Sequence, residues 1–348
     1  MSGQLIVNTD AIRQNILNIK SKIRDALFCA VVKANCYGFG FKLCSYIDDL
    51  VDMWAVATVD EAKTLANLTD KDILILSPPD YDEIKHLDLP QIIYAVDSVD
   101  TIKQMSSAER GFSVHVVVNT GMNRYGADFK SYKQIFKAVS KCNNIKIKGV
   151  FSHFYKNSAE VMKLQYDRFE KFAMLAKKQN PSAICHISNS KGICYPMDMV
   201  RVGIDMYLSG DTFRLLGFIK EVRTINNSDA VSYNANFVAS KRTKIAIVSL
   251  GYADGIMRKL SGFSVLVNDT FCPIVGDICM DCFMIDVSKV KRAKRGDKVV
   301  IIGKDYKESI SVCQLAHKCD TISYEMLSRL GDRIERIYLD HAGYNRKV

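Results

Sequence analysis

Residues 28–34 read Phe-Cys-Ala-Val-Val-Lys-Ala, five apolar side chains in succession followed by a lysine and an alanine. A short run with no polar interruption suits a strand buried on both faces. Short β-rich runs, several of them continuously apolar, recur at Met53–Thr58, Asp72–Ser77, Ile92–Val96, Phe112–Asn119, Ile145–Phe154, Ile184–Ser190 and Met199–Leu208. Asp60–Leu68, Ser98–Arg110 and Ser158–Lys178, which lie between them, carry helix-like spacing. Strand alternating with helix implies a parallel sheet. Eight such units within about 180 residues have the size of a (β/α)8 TIM barrel with short loops.

From about Thr212 the pattern changes to strands with turn signals and few helical stretches: Gly217–Thr224, Lys244–Leu250, Ser264–Val267, Cys272–Ile278, Phe283–Val287 and Lys298–Ile302. The expected fold class is therefore α/β, a TIM barrel followed by a smaller, mostly-β C-terminal domain. Helices are expected near Ser311–Lys318 and Tyr324–Arg329. The opening strand Gln4–Val7 precedes a helix starting near Asp10, the expected cap, and the strand alone fits either domain.

The 348 residues exceed what one hydrophobic core usually supports, so two domains are expected. Hydrophobic residues at 48% and charged residues at 25% match an ordinary globular enzyme, and no apolar run reaches the roughly 18 residues of a membrane span. The first 25 residues lack the charged start, apolar stretch and cleavage site of a secretory signal, which predicts a cytoplasmic location. Eleven scattered cysteines then read as reduced thiols. Cys279-Met280-Asp281-Cys282 is a lone C-x-x-C without the second pair of a zinc site, so no metal is expected. The net charge of +10 is spread out, and its densest cluster, Lys289–Lys298, contains a Gly296-Asp297 turn, which argues against nucleic acid.

In a barrel of this kind, chemistry sits at the carboxyl ends of the strands. Lys33 closes the first run, Arg124 follows the fifth, His153 closes the sixth, Asn189 and Ser190 close the seventh, and Arg201 with Gly203 lies in the eighth. Singly, each has an ordinary explanation, as a solvated strand end or an interior hydrogen-bonder. A lysine entering from Ala30-Val31-Val32, however, places its amine near an apolar wall, where desolvation lowers its pKa as a Schiff-base lysine requires. Gly121–Gly126 holds Arg124 in a glycine-bounded turn suited to a carboxylate or phenolate. Ser190 and the backbone amides around Gly203-Ile204 could line a phosphate site.

These segments resemble the alanine racemase family. The resemblance rests on Ala30-Val-Val-Lys-Ala-Asn-Cys-Tyr-Gly38, Thr120-Gly-Met-Asn-Arg124, Ser152-His-Phe154, Ser188-Asn-Ser190, Val200-Arg-Val-Gly-Ile204, Val231-Ser-Tyr233, Gly251-Tyr-Ala-Asp-Gly255, Cys279-Met-Asp281 and Ile322-Ser-Tyr-Glu325, in the family's order across nearly the whole chain. It implies a pyridoxal 5′-phosphate enzyme that interconverts L- and D-alanine for peptidoglycan, acting as a head-to-tail homodimer with shared active sites. Residues 9–211 would form the barrel, and 212–348, with the N-terminal strand 1–8, the β-rich domain. Lys33 would carry the cofactor and act as one base, with Tyr233 of the other subunit as the opposing base. Tyr37, Ser190, Gly203, Ile204 and Tyr324 would hold the phosphate, and Asn189 and His153 would line the cofactor. Arg124 would steer the phenolate oxygen and the substrate carboxylate, which the Met280 N–H would also contact. Arg201 would face the pyridine nitrogen, and His153 and Arg201 would help Tyr233 ionise.

The sequence departs from the family pattern at several points. Phe39 stands in place of the usual histidine, Asn234 in place of a glycine, and the segment between Ser190 and Arg201 is short. Val117 replaces a lysine that is carbamylated in many relatives and braces the arginine equivalent to Arg124, and Asn119 replaces an aspartate. An anion such as chloride, held partly by Asn119, is the expected substitute brace. A serine or broad-specificity racemase and a non-catalytic cofactor-binding protein are the alternative readings. A decarboxylase of the same barrel type is disfavoured, because Arg201 stands where it would need an acidic partner for the ring nitrogen.

Overall fold

The computed structural model describes residues 3–195 and 197–346. The chain divides into two compact units, one formed by Asn15–Cys36 with Cys44–Met206 and the other by Met1–Gln14, Tyr37–Leu43 and Tyr207–Val348. The short segment between Ser190 and Arg201 includes Pro196, which lies outside the described residues.

The first unit is a ring of eight parallel strands: Leu27–Val31, Met53–Val56, Ile73–Ile75, Ile92–Val96, Phe112–Val117, Ile145–Phe151, Ile184–His186 and Met199–Val202. Seven fall within the expected runs, and the first begins one residue before its run. The last strand returns to the first in register, Cys29 opposite Arg201. Between the seventh and eighth strands, closure rests on an Asn189–Arg201 bridge and on Arg201 N–H donating to the Ser188 carbonyl at 3.1 Å. Because all eight strands run the same way, Lys33, Arg124, His153, Ser190 and Gly203 all follow strand ends on one rim.

The helical layer is thinner than expected. α-Helices of eight residues or more follow the second, fourth, fifth and sixth strands (Val59–Ala66, Val99–Ser106, Phe129–Val139 and Ala159–Gln179). Three of them begin at side-chain caps, where Thr58, Ser98 and Asp128 accept an N–H from the first turn. Short strand-end connections elsewhere form single 3-10 turns, such as Ser190–Gly192 and Ile204–Met206.

In the second unit, a nine-stranded sheet is built around the long strand Phe213–Ile225. One part of this strand pairs with Lys298–Asp305 and another with Thr243–Val248, so the pairing runs back on itself through Ser264–Val267, Thr270–Val275 and Phe283–Asp286. Gln4–Asn8 joins this sheet, antiparallel to Phe213–Ile225 and parallel to Glu335–Leu339, a strand that the sequence reading did not pick out. The expected helices appear as Val312–Cys319 and Ser323–Ser328. The expected cap at Asp10 is corrected: Asn8 Oδ1 accepts the Ala11 N–H at 3.1 Å, one turn into helix Thr9–Lys20, while Asp10 accepts the His341 N–H at 2.9 Å. A short amide at the residue before the helix reaches the third N–H, which a carboxylate already inside the first turn cannot do.

At Gly149 the barrel leaves no room for a side chain. A Cβ there would lie 2.4 Å from the Ile184 carbonyl oxygen and 2.7 Å from the His115 ring. Gly149→Ala should therefore destabilise the protein by about 1–3 kcal/mol through overpacking, measured by urea unfolding; an unchanged midpoint would contradict this packing.

Candidate active site

Lys33 stands two residues beyond the first barrel strand, half-buried, at the entrance to a left-handed turn. Ala34, Asn35, Cys36 and Tyr37 all have φ between 53° and 55°, a conformation that costs an L-residue roughly 1–2 kcal/mol. Local hydrogen bonds hold it: the Ala34 N–H donates to Glu61 Oε1 at 2.7 Å and the Cys36 N–H to the Val32 carbonyl at 2.8 Å. Glu61 also accepts the N–H groups of Ala57 and Thr58, completing the capping box of helix Val59–Ala66. One carboxylate thus ties the start of a helix to the residue after the lysine. Sequence reasoning missed Glu61, although Thr58-x-x-Glu61 carries the capping-box signal. Burial first, and the Arg124 cation second, hold the Lys33 amine below the usual lysine pKa, against the pull of Glu61.

Arg201 is 4% exposed, and no carboxylate pairs with it among the described residues. All four of its terminal N–H groups meet acceptors. Nη2 donates to the Ser152 carbonyl at 2.7 Å and to His153 Nδ1 at 3.2 Å, while Nη1 donates to His186 Nδ1 and to the His186 carbonyl. The Nε–H has no protein acceptor among the described residues. Burial lowers the guanidinium pKa to about 10, which leaves it charged at neutral pH. Because Arg201 can only donate, His153 Nδ1 must be bare and its proton must sit on Nε2. Burial, reinforced by Arg201, Arg124 and Lys33, brings the His153 pKa down to about 3. With Nδ1 bare, the His153 ring offers a single N–H, on Nε2.

The turn bearing Arg124 is organised by Asn119, whose Oδ1 accepts the N–H groups of Gly121 and Asn123 and whose Nδ2 donates to Asn123 Oδ1 at 2.8 Å. Below it, Thr120 Oγ1 meets Ser152 Oγ at 2.8 Å, and Gln165 Nε2 donates to Thr120 Oγ1 and the His153 carbonyl, both at 3.0 Å. These buried contacts join the Arg124 and His153 segments, and Gln165 gave no signal in the sequence beyond helical spacing. Arg124 itself is exposed and lies beside Tyr125, with no ion-pair partner among the described residues. Next to it is a cavity of about 30 Å³ whose lining includes Val117, Asn119, Arg124 and His153, room for about one water or small ion. Val117 is buried and apolar and offers Arg124 no brace.

Asn189 Oδ1 accepts the N–H groups of Lys191 and Gly192, capping the 3-10 turn that starts at Ser190. Across the Asn189–Arg201 bridge, Gly203 and Ile204 open a second turn, closed by Met206 N–H donating to the Gly203 carbonyl at 3.1 Å. Two turn starts therefore sit side by side at the ends of paired strands.

In the other unit, Tyr37 is buried against Tyr207 and meets Tyr324 edge-on at 6.0 Å. Phe39, which departs from the family's histidine, fills the same aromatic cluster, stacked on Tyr207 at 4.4 Å. Tyr233 is 68% exposed at the start of a short turn. Asn234 has φ 61°, which explains how asparagine serves where a glycine was expected: it tolerates the left-handed region, and its Nδ2 donates to Asp277 Oδ2 at 3.0 Å. Asn236 and Ser232 also donate to Asp277. Met280, 53% exposed, sits in a loop whose carbonyls accept the N–H groups of Tyr252 and Ala253. A Cβ at Gly251 would come within 2.1 Å of the Met280 carbonyl oxygen, so that close approach requires glycine.

The donor set on the barrel rim fits pyridoxal phosphate. The Arg124 and Arg201 cations act on Lys33, Arg124 acts on Arg201, and Glu61, the carboxylate acting on Lys33, already accepts three N–H groups. A cationic rim with one unassigned guanidinium N–H calls for an anionic ligand carrying a ring acceptor.

Residues 7–210 match the family description "Alanine racemase, N-terminal domain" and residues 196–338 match "Alanine racemase, C-terminal domain". The chain is 34% identical to the alanine racemase of Lactococcus lactis subsp. lactis over 96% of its length and 97% of that protein. Among solved structures, it resembles the alanine racemase of Bacillus anthracis with bound L-Ala-P (26% identity, TM-score 0.90, covering 100% of this chain and 99% of that one). It also resembles that of Bartonella henselae with covalently bound pyridoxal phosphate (26% identity, TM-score 0.85, covering 97% and 100%). Two domain matches that together span almost the whole chain, in a protein whose barrel rim has the chemistry such an enzyme requires, place this chain in the alanine racemase family.

Proposed function

We infer that the protein is an isomerase that interconverts L-alanine and D-alanine with pyridoxal 5′-phosphate, using Lys33 and Tyr233 as opposed bases. The observation that carries this reading is a half-buried amine, depressed in pKa, on a rim with two arginines that no carboxylate pairs with among the described residues. Lys33 would hold the cofactor covalently. Tyr37, Asn189, Ser190, Gly203, Ile204 and Tyr324 would surround its phosphate end, and His153 and Arg201 its ring. When bound, the cofactor withdraws electrons from the substrate and acidifies the α-hydrogen.

Inversion requires a proton to leave one face of the α-carbon and another to arrive on the opposite face. Lys33 serves one face as a neutral amine, a state that its burial favours. Tyr233 serves the other from a second copy of the chain. Its 68% exposure, with Met280 at 53%, is what supports a homodimer in which a neighbour covers both side chains. Arg124 and the Met280 N–H hold the substrate carboxylate. A guanidinium facing the ring nitrogen does not hand over its proton, which restrains electron withdrawal and disfavours transamination and decarboxylation. We place the enzyme in the cytoplasm, where its D-alanine would supply peptidoglycan. An anion in the cavity beside Arg124 stands in for the missing carbamate; because Asn119 is tied into its own turn, the arginine provides the main attraction.

Two alternatives are tested alongside. An apolar pocket rejects one added hydroxyl only weakly, about a hundredfold, so a serine or broad-specificity racemase remains the second reading on chemical grounds. A non-catalytic cofactor carrier would need neither Tyr233 nor the β-rich unit.

Purified protein with cofactor should bring L-alanine and D-alanine separately to the same equal mixture, read by enantiomer analysis. No conversion from either side would refute the activity, and faster turnover of serine would reassign the substrate. Tyr233→Phe should keep cofactor colour while losing turnover of at least one enantiomer by roughly 10²–10⁴-fold; unchanged racemisation would refute the two-base assignment. Cofactor uptake by the apoenzyme needs the neutral Lys33 amine, so its rate should rise with pH through a midpoint below that of a free lysine. Arg124→Gln, which removes a neighbouring cation, should move that midpoint upward, and a midpoint unchanged or lower would contradict the electrostatic coupling.

A further inference from the structure

The barrel interior holds a directed row of hydrogen bonds behind Arg201 that neither proton transfer uses. Arg201 Nη1 donates to His186 Nδ1, and His186 Nε2 lies 3.0 Å from His115 Nδ1. Both histidines are 0% exposed and lie on barrel strands, Phe112–Val117 and Ile184–His186. Phe151 stacks on the His186 ring at 5.1 Å, and the Arg201 guanidinium lies 5.3 Å from the centre of the same Phe151 ring.

The protons in this row are fixed by donor and acceptor counting. Arg201 has no acceptor, so His186 Nδ1 must be bare and its hydrogen must sit on Nε2. That hydrogen can point only at His115 Nδ1, which must then also be bare. The last proton falls on His115 Nε2, a buried nitrogen with no partner among the described residues, beside the glycine that leaves it room. A second proton on His186 would confront the guanidinium, and one on His115 would confront the His186 N–H.

We propose that His186 and His115 are positioning residues for Arg201, a one-way row of neutral Nε2–H imidazoles that clamps the guanidinium without neutralising it and leaves its Nε–H as the donor for a ligand's ring nitrogen. A carboxylate at the position of His186 would hold the arginine equally well but cancel its charge. Neutral imidazoles hold it through hydrogen bonds alone, so the full cationic field reaches the ring. Burial of both rings acts in the same direction by disfavouring their charged forms. This inference rests on the reading of Arg201 as the cation facing the bound cofactor.

The test separates the row from a mere packing role. His115→Leu removes the terminal acceptor and strands the His186 N–H, whereas His115→Asn keeps an acceptor oxygen at the Nδ1 position. In the loaded enzyme, the leucine variant should lose about tenfold in kcat at unchanged KM, weaken cofactor affinity by a similar factor and shift the cofactor absorbance band, as substitutions behind a ligating group do. The asparagine variant should recover all three. Wild-type kcat and spectrum in the leucine variant, or equal impairment in the asparagine variant, would overturn the proposal. Nitrogen-15 NMR of the unmodified apoenzyme provides an arm independent of turnover and of any folding defect. Both buried rings should remain the neutral Nε2–H tautomer from about pH 8 to about pH 5, and a ring that titrates there or carries Nδ1–H would overturn it. If wild-type protein fails to racemise alanine while the NMR arm holds, the row stands and the activity reading falls.

Discussion

A single buried cation constrains this molecule more than any other group. Arg201 sits in the barrel core with no carboxylate against it among the described residues, and an isolated buried charge is among the most expensive arrangements in a protein. Here the compensation comes from two backbone carbonyls and two imidazoles, all uncharged. Three features follow from that choice. The histidines cannot become cations, the remaining positive charge stays uncancelled, and the rim prefers an anionic ligand.

The rest of the rim extends the same electrostatic pattern. Lys33 is depressed by burial and by arginines, and Glu61, the acid within its influence, is already occupied with three N–H groups. The left-handed turn from Ala34 to Tyr37 is unfavourable for L-residues and persists because Glu61 and Val32 hold its first half. A site that lowers the pKa of an amine beside a charged guanidinium has what proton abstraction next to a carboxylate needs. The second unit contributes something different: an exposed phenol on a strained turn anchored through Asp277, and an exposed methionine loop braced by Gly251 to Ala253.

Much of this was legible in the sequence for physical reasons. Strands buried on both faces are short and mostly apolar, so β-rich runs from Phe28 onward overlap all eight barrel strands, and polar residues at their ends stood out by contrast. The long-range parts were less visible. Glu61 looks like an ordinary capping residue until its second partner, Ala34, is known. His115 and His186 drew no reading from the sequence, because their meaning depends on a partner 15 residues away for His186 and 71 away for His115. Asn234 looks like a defect against a glycine pattern until its positive φ and its bond to Asp277 are seen together. The strand Glu335–Leu339, with burial graded and partial along its length, lacked the alternation that marks an edge strand.

The central claim is that two different groups handle the two faces of one carbon, and hydrogen isotope tracing reads this directly. Turnover of protiated L-alanine and, separately, D-alanine in deuterium oxide should give product enantiomer that carries deuterium at the α-carbon from the first turnover, because the returning proton comes from a base that never met the departing one. Protium carried from substrate into product, from both directions, would mean that one group serves both faces and would contradict the assignment of Lys33 and Tyr233.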